Sequence, residues 1–146
     1  MKETRIYLDT SILVKRYVNE DGTDITDSFF QLAHQGETVF CTSEINLGEA
    51  AVVFDKYARK FGLDARNLFH AMLRELNVLE RSNSVEIFPV TSQIIRKAIK
   101  VVFEQHVYIV DAIQLETCIE AKGDKFFTAD VELNTIAKKL GIETVL

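Results

Sequence analysis

The stretch Arg5-Ile6-Tyr7-Leu8-Asp9-Thr10-Ser11-Ile12-Leu13-Val14-Lys15 decides how the chain is read. Its first four residues form a short, β-prone apolar run. Asp9-Thr10-Ser11 then breaks the run with side chains that favour helix N-caps before apolar residues resume. The pattern is strand, acidic turn, helix, and it returns along the sequence. Thr38-Val39-Phe40-Cys41 is a second short strand, closed by Thr42-Ser43, with Ser43 placed to cap the next helix. Val85-Glu86-Ile87-Phe88 stops at Pro89, and Thr91 or Ser92 opens a helix running to about Glu104. Lys125-Phe126-Phe127 leads into Thr128-Ala129-Asp130, and Glu143-Thr144-Val145-Leu146 reads as a fifth strand.

The segments between these strands have helical spacing. Turn residues at 19–23 precede a helix that reaches His34 and stops at Gln35-Gly36. From Leu47, the positions Ala50, Ala51, Phe54, Ala58 and Phe61 keep one stripe until Gly62. Asp64 is placed to cap a run in which Leu68, Phe69, Met72, Leu73, Leu76 and Leu79 recur on one face. Val110 to Ala121 ends at Lys122-Gly123, and Leu133, Ile136, Ala137 and Leu140 form a last stripe before Gly141. Strands alternating with helices imply parallel βαβ crossovers. The expected fold is therefore α/β: a three-layer α/β/α sandwich with a five-stranded parallel sheet, forming one domain over residues 1–146.

Composition narrows the function classes. With 47% hydrophobic and 27% charged residues, the chain can bury a core without disulfides or a structural metal. No apolar run approaches the roughly 20 residues needed to cross a bilayer, and Met1-Lys2-Glu3-Thr4-Arg5 leads into too few apolar residues for a secretory signal. A cytoplasmic protein with no membrane partner is expected. Cys41 and Cys118 lack the spacing of a zinc or redox motif and read as small buried residues. A net charge of −5 argues against a protein that coats nucleic acid by bulk charge. Gathering four carboxylates on one cation would leave the remainder close to neutral, so a polyanionic substrate stays compatible with the composition.

In an open α/β sheet the ligand crevice lies beyond the carboxyl ends of the strands. Asp9 and Asp130 each follow a strand, and parallel pairing would bring them to one edge. Glu49 and Asp111 fall in the first turns of helices that start at that edge. Each acid also has a plainer explanation. Asp9, Asp111 and Asp130 could serve only as helix caps, and Glu49 could pair with Lys56. Glu44 lies about 140° from Glu49 around the helix, so the two do not face one point. Four converging carboxylates repel one another unless a cation is present. Oxygen-only donors favour Mg²⁺ or Mn²⁺ over zinc. His34, His70 and His106 are scattered without ligand spacing, and there is neither a nucleophile elbow nor a glycine-rich phosphate loop.

The constellation resembles the PIN-domain nucleases, specifically the VapC-type ribonuclease toxins of toxin–antitoxin pairs. Four blocks carry the resemblance: Tyr7 to Lys15 with the Glu20-Asp21-Gly22-Thr23 turn; Thr42-Ser43 leading to Glu49-Ala50; Asp111-Ala112-Ile113-Gln114-Leu115; and Phe127-Thr128-Ala129-Asp130-Val131-Glu132-Leu133. The resemblance implies that Asp9, Glu49, Asp111 and Asp130 are the catalytic acids holding Mg²⁺ or Mn²⁺, with Ser11 and Thr128 shaping the site. It also implies endonucleolytic cleavage of RNA to 5′-phosphate and 3′-hydroxyl ends, a cognate antitoxin crossing the acidic cleft, and a homodimer. Glu116 and Cys118 depart from the small residues usual after the third block. The helical pair near residues 47–80 fits either a projection used for dimer or antitoxin contacts or ordinary core helices.

Lys15, Arg16, Lys56, Arg59, Lys60, Arg96, Lys97 and Lys100 are candidate phosphate contacts, and single-stranded loops are the expected RNA target. Three rival readings stand beside this one. A PIN-type RNA-processing nuclease would act without an antitoxin. An aspartyl phosphatase would use Asp9 as nucleophile, although Ser11 occupies the place of its second acid. A non-catalytic module would use the acidic pocket only for regulation.

Overall fold

Alternation along the strands divides the interior in two. In the computed structural model, which describes residues 3–146, β1 (Thr4–Leu8) sends Ile6 and Leu8 to one face and Tyr7 to the other. β2 (Thr38–Ser43) does the same with Phe40 and Cys41, and β4 (Lys125–Phe127) with Phe127 and Phe126. This is the period-two consequence of an extended backbone whose two faces are both covered. With β3 (Val85–Phe88) and β5 (Glu143–Thr144), the strands form a five-stranded sheet in the order β3-β2-β1-β4-β5. Every neighbouring pair is parallel, with Tyr7 beside Cys41 and Phe126, and Leu8 beside Phe127.

The first face is covered by α1 (Thr10–Lys15), α2 (Thr23–His34), α3 (Glu44–Phe61) and α4 (Ala65–Arg81). Its core includes Ile12, Leu13, Phe30, Phe54, Met72, Leu76 and Leu79. The second face is covered by α5 (Ser92–Gln105), α6 (Ile109–Glu120) and α7 (Val131–Lys139), through Ile94, Ala98, Val101, Ala112, Leu115, Leu133 and Ala137. Complete burial of a Phe or Leu side chain contributes about 1.5–3 kcal/mol. The Tyr7 and Phe126 rings stack 5.2 Å apart on neighbouring strands, so the central pair β1–β4 is packed as well as hydrogen-bonded.

The three-layer sandwich matches the sequence expectation, with small differences at element ends. The last strand stops at Thr144, and α6 starts one residue earlier than its apolar run suggests. Cys41 and Cys118 are both free and buried. Among the described residues no helix is long and apolar enough to cross a membrane. The α3–α4 pair serves as core helices over much of its length. Ala50, Phe54, Met72, Leu76 and Leu79 belong to the core, whereas residues 55–64 of the hairpin bury nothing completely and carry exposed Phe61 and Leu63 toward its tip.

Candidate active site

Asp9 ends β1 and opens α1. The Asp9 amide donates to the Phe127 carbonyl at 3.0 Å, which ties the end of β1 to the end of β4. The residue is 6% exposed, and its carboxylate accepts three hydrogen bonds. Oδ1 receives the Thr10 amide at 2.8 Å, while Oδ2 receives the hydroxyls of Ser11 at 2.8 Å and Thr128 at 2.7 Å. Ser11 accepts in turn from the Ala129 amide at 3.0 Å, and Thr128 from the Asp130 amide at 3.0 Å. The residues after β1 and those after β4 are thereby laced together across 119 positions of sequence. Asp130 caps α7 through Oδ1, which accepts from the Leu133 amide at 3.1 Å; among the described residues Oδ2 has no hydrogen-bond donor.

Glu49 lies on the second turn of α3. It makes no pair with Lys56. Its Oε1 accepts from the Thr10 hydroxyl at 3.0 Å. Thr10 is held by Asn46 Nδ2 at 2.9 Å, and the same amide donates to Gln114 Oε1 at 2.8 Å. Asn46 Oδ1 accepts from the Tyr7 hydroxyl at 2.5 Å and the Ser43 amide at 3.1 Å. Tyr7, Asn46 and Gln114 are each 1% exposed or less, so this network joins β1, α1, α3 and α6 through the interior by direct hydrogen bonds.

Asp111 differs from the other three. It stands in the first turn of α6 but makes no capping hydrogen bond, and among the described residues its carboxylate has neither a hydrogen-bond donor nor an ion-pair partner. Burial, followed by the charges of Asp9, Asp130 and Glu49, pushes its pKa up to about 6. Burial and the charge of Asp9 raise Glu49 too, against the lowering effect of the Thr10 hydroxyl. The structure therefore brings the other three acids named from sequence within electrostatic reach of Asp111. None of them is paired with a Lys or Arg among the described residues. Asp9 and Asp130 do act as caps, as the plainer reading had it, but capping leaves each with further acceptor capacity.

This donor set suits a hard divalent cation: carboxylate oxygens, one of them half-buried and, among the described residues, under the influence of like charges. Among the described residues no three such side chains already stand close enough to form a finished cage.

A family model described as PIN domain matches residues 6–139, from within β1, just before Asp9, to the end of the helix capped by Asp130. The chain belongs to the PIN domain family. Among solved structures this PIN domain is similar to PAE2754 from Pyrobaculum aerophilum, at TM-score 0.65 and 18% identity, over 97% of this chain and 84% of the other. It is also similar to the Mycobacterium tuberculosis toxin VapC20, described as cleaving the sarcin-ricin loop, at TM-score 0.64 and 19% identity, over 89% and 93% of the two chains. A third is VapBC2 from Rickettsia felis, solved bound to a DNA fragment from its promoter, at TM-score 0.63 and 14% identity over 97% of each chain. At such identities the likeness is one of fold. No curated protein matches the sequence.

Sequence reasoning missed Thr10, Asn46 and Gln114. Asn46 occupies the third helical position after Ser43 and reads as half of a capping box, which it also is. Gln114 was the available signal: a lone amide inside the apolar run Ala112 to Leu115 needs a buried partner. Two of the expected phosphate contacts are otherwise engaged. Arg16 is bound to Glu75 and Asp27 and lies over the Phe30 ring, and Lys15 pairs with Glu20 at 3.2 Å.

Proposed function

We propose that this chain, acting as one domain, is a divalent-metal-dependent endoribonuclease and the toxin of a toxin–antitoxin pair. The observation that carries the reading is Asp111: a half-buried carboxylate that, among the described residues, has no hydrogen-bond donor or basic partner and feels the charges of Asp9, Asp130 and Glu49. Such an arrangement is unfavourable unless something positive completes it. Asp9, Glu49, Asp111 and Asp130 would hold Mg²⁺ or Mn²⁺. A divalent ion supplies Lewis-acid stabilisation of a phosphodiester under in-line attack and makes water easier to deprotonate.

The protein's own part is to place the acceptors. Ser11 and Thr128 each donate a hydrogen bond to Asp9 Oδ2, fixing that carboxylate in one rotamer. Thr10 does the same for Glu49 Oε1. Asp130 is oriented by the amide of Leu133. Water attack then breaks the bond to the 3′-oxygen and leaves 5′-phosphate and 3′-hydroxyl ends. The alternative role of Asp9 as nucleophile lacks its second acid, since Ser11 stands two residues on.

The toxin assignment draws on the likeness to VapC20 and VapBC2. It is also supported by a cleft of about 780 Å³ lined by Tyr17, Tyr57, Phe61, Leu63 and Leu68 at the α3–α4 tip. Through Glu20 and Tyr57 this cleft adjoins a second of about 310 Å³, which Thr10 and Ser11 line. An apolar antitoxin segment seated in the first would reach the acids through the second. Exposed Ile95, Ile99 and Phe103, at four-residue spacing on α5, support self-association as a homodimer.

The experiment is cleavage of a labelled panel of structured RNAs with Mg²⁺ or Mn²⁺ and with EDTA, using wild type and Asp9→Asn refolded to strip bound antitoxin. Cutting that requires metal and vanishes in the variant supports the reading. A refolded wild type that binds no divalent ion defeats it.

A further inference from the structure

Thr10 has one hydroxyl proton and two side-chain partners. Asn46 Nδ2 lies 2.9 Å from its oxygen and Glu49 Oε1 lies 3.0 Å away. An amide nitrogen only donates, so the Thr10 oxygen accepts from Asn46 and the proton is left for Glu49. The Asn46 amide is not free to turn over. Its Oδ1 faces the Ser43 backbone N–H at 3.1 Å, which also only donates. A flipped amide would set two donors against each other at a position with no solvent access.

Resting on the acidic-site reading above, we propose that Asn46 is a positioning residue for Glu49. It fixes the direction of the Thr10 hydroxyl, keeps Glu49 Oε1 permanently engaged and leaves Oε2 as the oxygen for the cation. The hydroxyls of Ser11 and Thr128 are directed toward Asp9 in the same manner, but there the upstream donors are the backbone amides of Ala129 and Asp130. Only at Thr10 is direction set by a side chain, so only there does a substitution reverse it.

Asn46→Asp is the reversing change. It is nearly isosteric, and the buried carboxylate would keep the Tyr7 hydroxyl and Ser43 amide as donors. Because a carboxylate accepts only, the Thr10 hydroxyl turns toward it and Glu49 loses its donor. The test is direct Mn²⁺ binding by calorimetry, with folding of each variant checked by circular dichroism and thermal melting. Asn46→Asp is expected to raise the Mn²⁺ dissociation constant about tenfold, the usual lower bound for losing an outer hydrogen bond to a ligand. Thr10→Val is expected to do the same, and Thr10→Ser, which retains the hydroxyl, to restore most of the affinity. If Asn46 merely fills space, the added negative charge instead leaves Mn²⁺ binding unchanged or tightens it, and the proposal is overturned. Should Asn46→Asp fail to fold, the Thr10 pair decides: equal affinities for Val and Ser overturn it. A wild type that binds no Mn²⁺ overturns the acidic-site reading together with this proposal, whereas binding by wild type and Asn46→Asp alike overturns the proposal alone.

Discussion

Glu75 on α4 and Asp111 on α6 are both half-buried acids, and they are treated in opposite ways. Glu75 accepts from Arg16 Nε at 2.9 Å and Nη2 at 2.7 Å, and from the Tyr17 hydroxyl at 2.9 Å, with His34 Nε2 at 2.8 Å. Burial alone would raise its pKa, but the bonds from Arg16, His34 and Tyr17 overcome that and hold its carboxyl at about 2. Asp111 has no such bond and rises to about 6. What separates a structural carboxylate from a candidate ligand is the supply of donors around it, since burial is comparable in the two places. The sequence contains acids of both kinds, but only the folded surroundings tell them apart.

The sharpest way to break this contrast is to neutralise each acid in turn and measure RNA cleavage. Asp111→Asn is expected to lower metal-dependent cleavage about a thousandfold, the equivalent of about 4 kcal/mol of transition-state stabilisation. Glu75→Gln, compared per folded molecule at low temperature, is expected to cut at close to the wild-type rate. Equal losses in the two variants would erase the distinction.

Stability should respond in the reverse order. Glu75→Gln leaves the Arg16 guanidinium with only Asp27 as an anionic partner and is expected to cost about 2–3 kcal/mol, lowering Tm by roughly 5–10 °C. Because the Glu75 pKa is depressed, its contribution is present above about pH 4.5 and disappears as pH falls toward about 2. Chemical denaturation of wild type and variant at pH 7 and pH 2.5 should show the gap closing at acid pH.

Asp111→Asn in the metal-free protein is expected to be stabilising, by about 1–2 kcal/mol at pH 7 after solvent screening. The sign follows from the raised pKa. Protonated Asp111 is tolerated below about pH 3.8, and the folded state loses ground as pH rises through about 6. The advantage of Asn should therefore be absent near pH 3.5 and complete above about pH 7. Saturating Mn²⁺ should abolish it, because the wild-type carboxylate then has its cation. A destabilised metal-free Asp111→Asn would show that Asp111 is compensated after all.

The smallest effect calibrates the others. Asp55 and Arg59 form an exposed pair at 3.3 Å on α3, and Asp55→Asn is expected to change stability by less than about 0.5 kcal/mol. A larger value would mean that the surface charges of the hairpin are coupled more strongly than exposure allows.

The contrast also explains what was legible in the sequence. Strands, helices and layer order were readable because alternation and helical spacing are local patterns. Asp9 and Asp130 were readable because strand ends in a parallel sheet share an edge, and Asp111 because an acid within an apolar run is conspicuous. The Glu75 network was not readable, since Arg16 and Glu75 lie 59 residues apart and each looks like an ordinary polar-face residue of its own helix. Asn46 was hidden differently. Its capping role is local and visible, whereas its bond to Thr10 spans 36 residues and depends on how α1 and α3 pack.

The lacing of Asp9 to Thr128 and of Ser11 to Ala129 also bears on biosynthesis. A chain still emerging from the ribosome has made β1, α1 and α3 long before it makes β4, so Asp9 initially lacks the hydroxyl of Thr128 and Ser11 lacks the amide that directs it. Until residue 130 is available, two of the four acids cannot meet. Joining these two strand ends is therefore a late event in folding, completed only after residue 130 has left the ribosome.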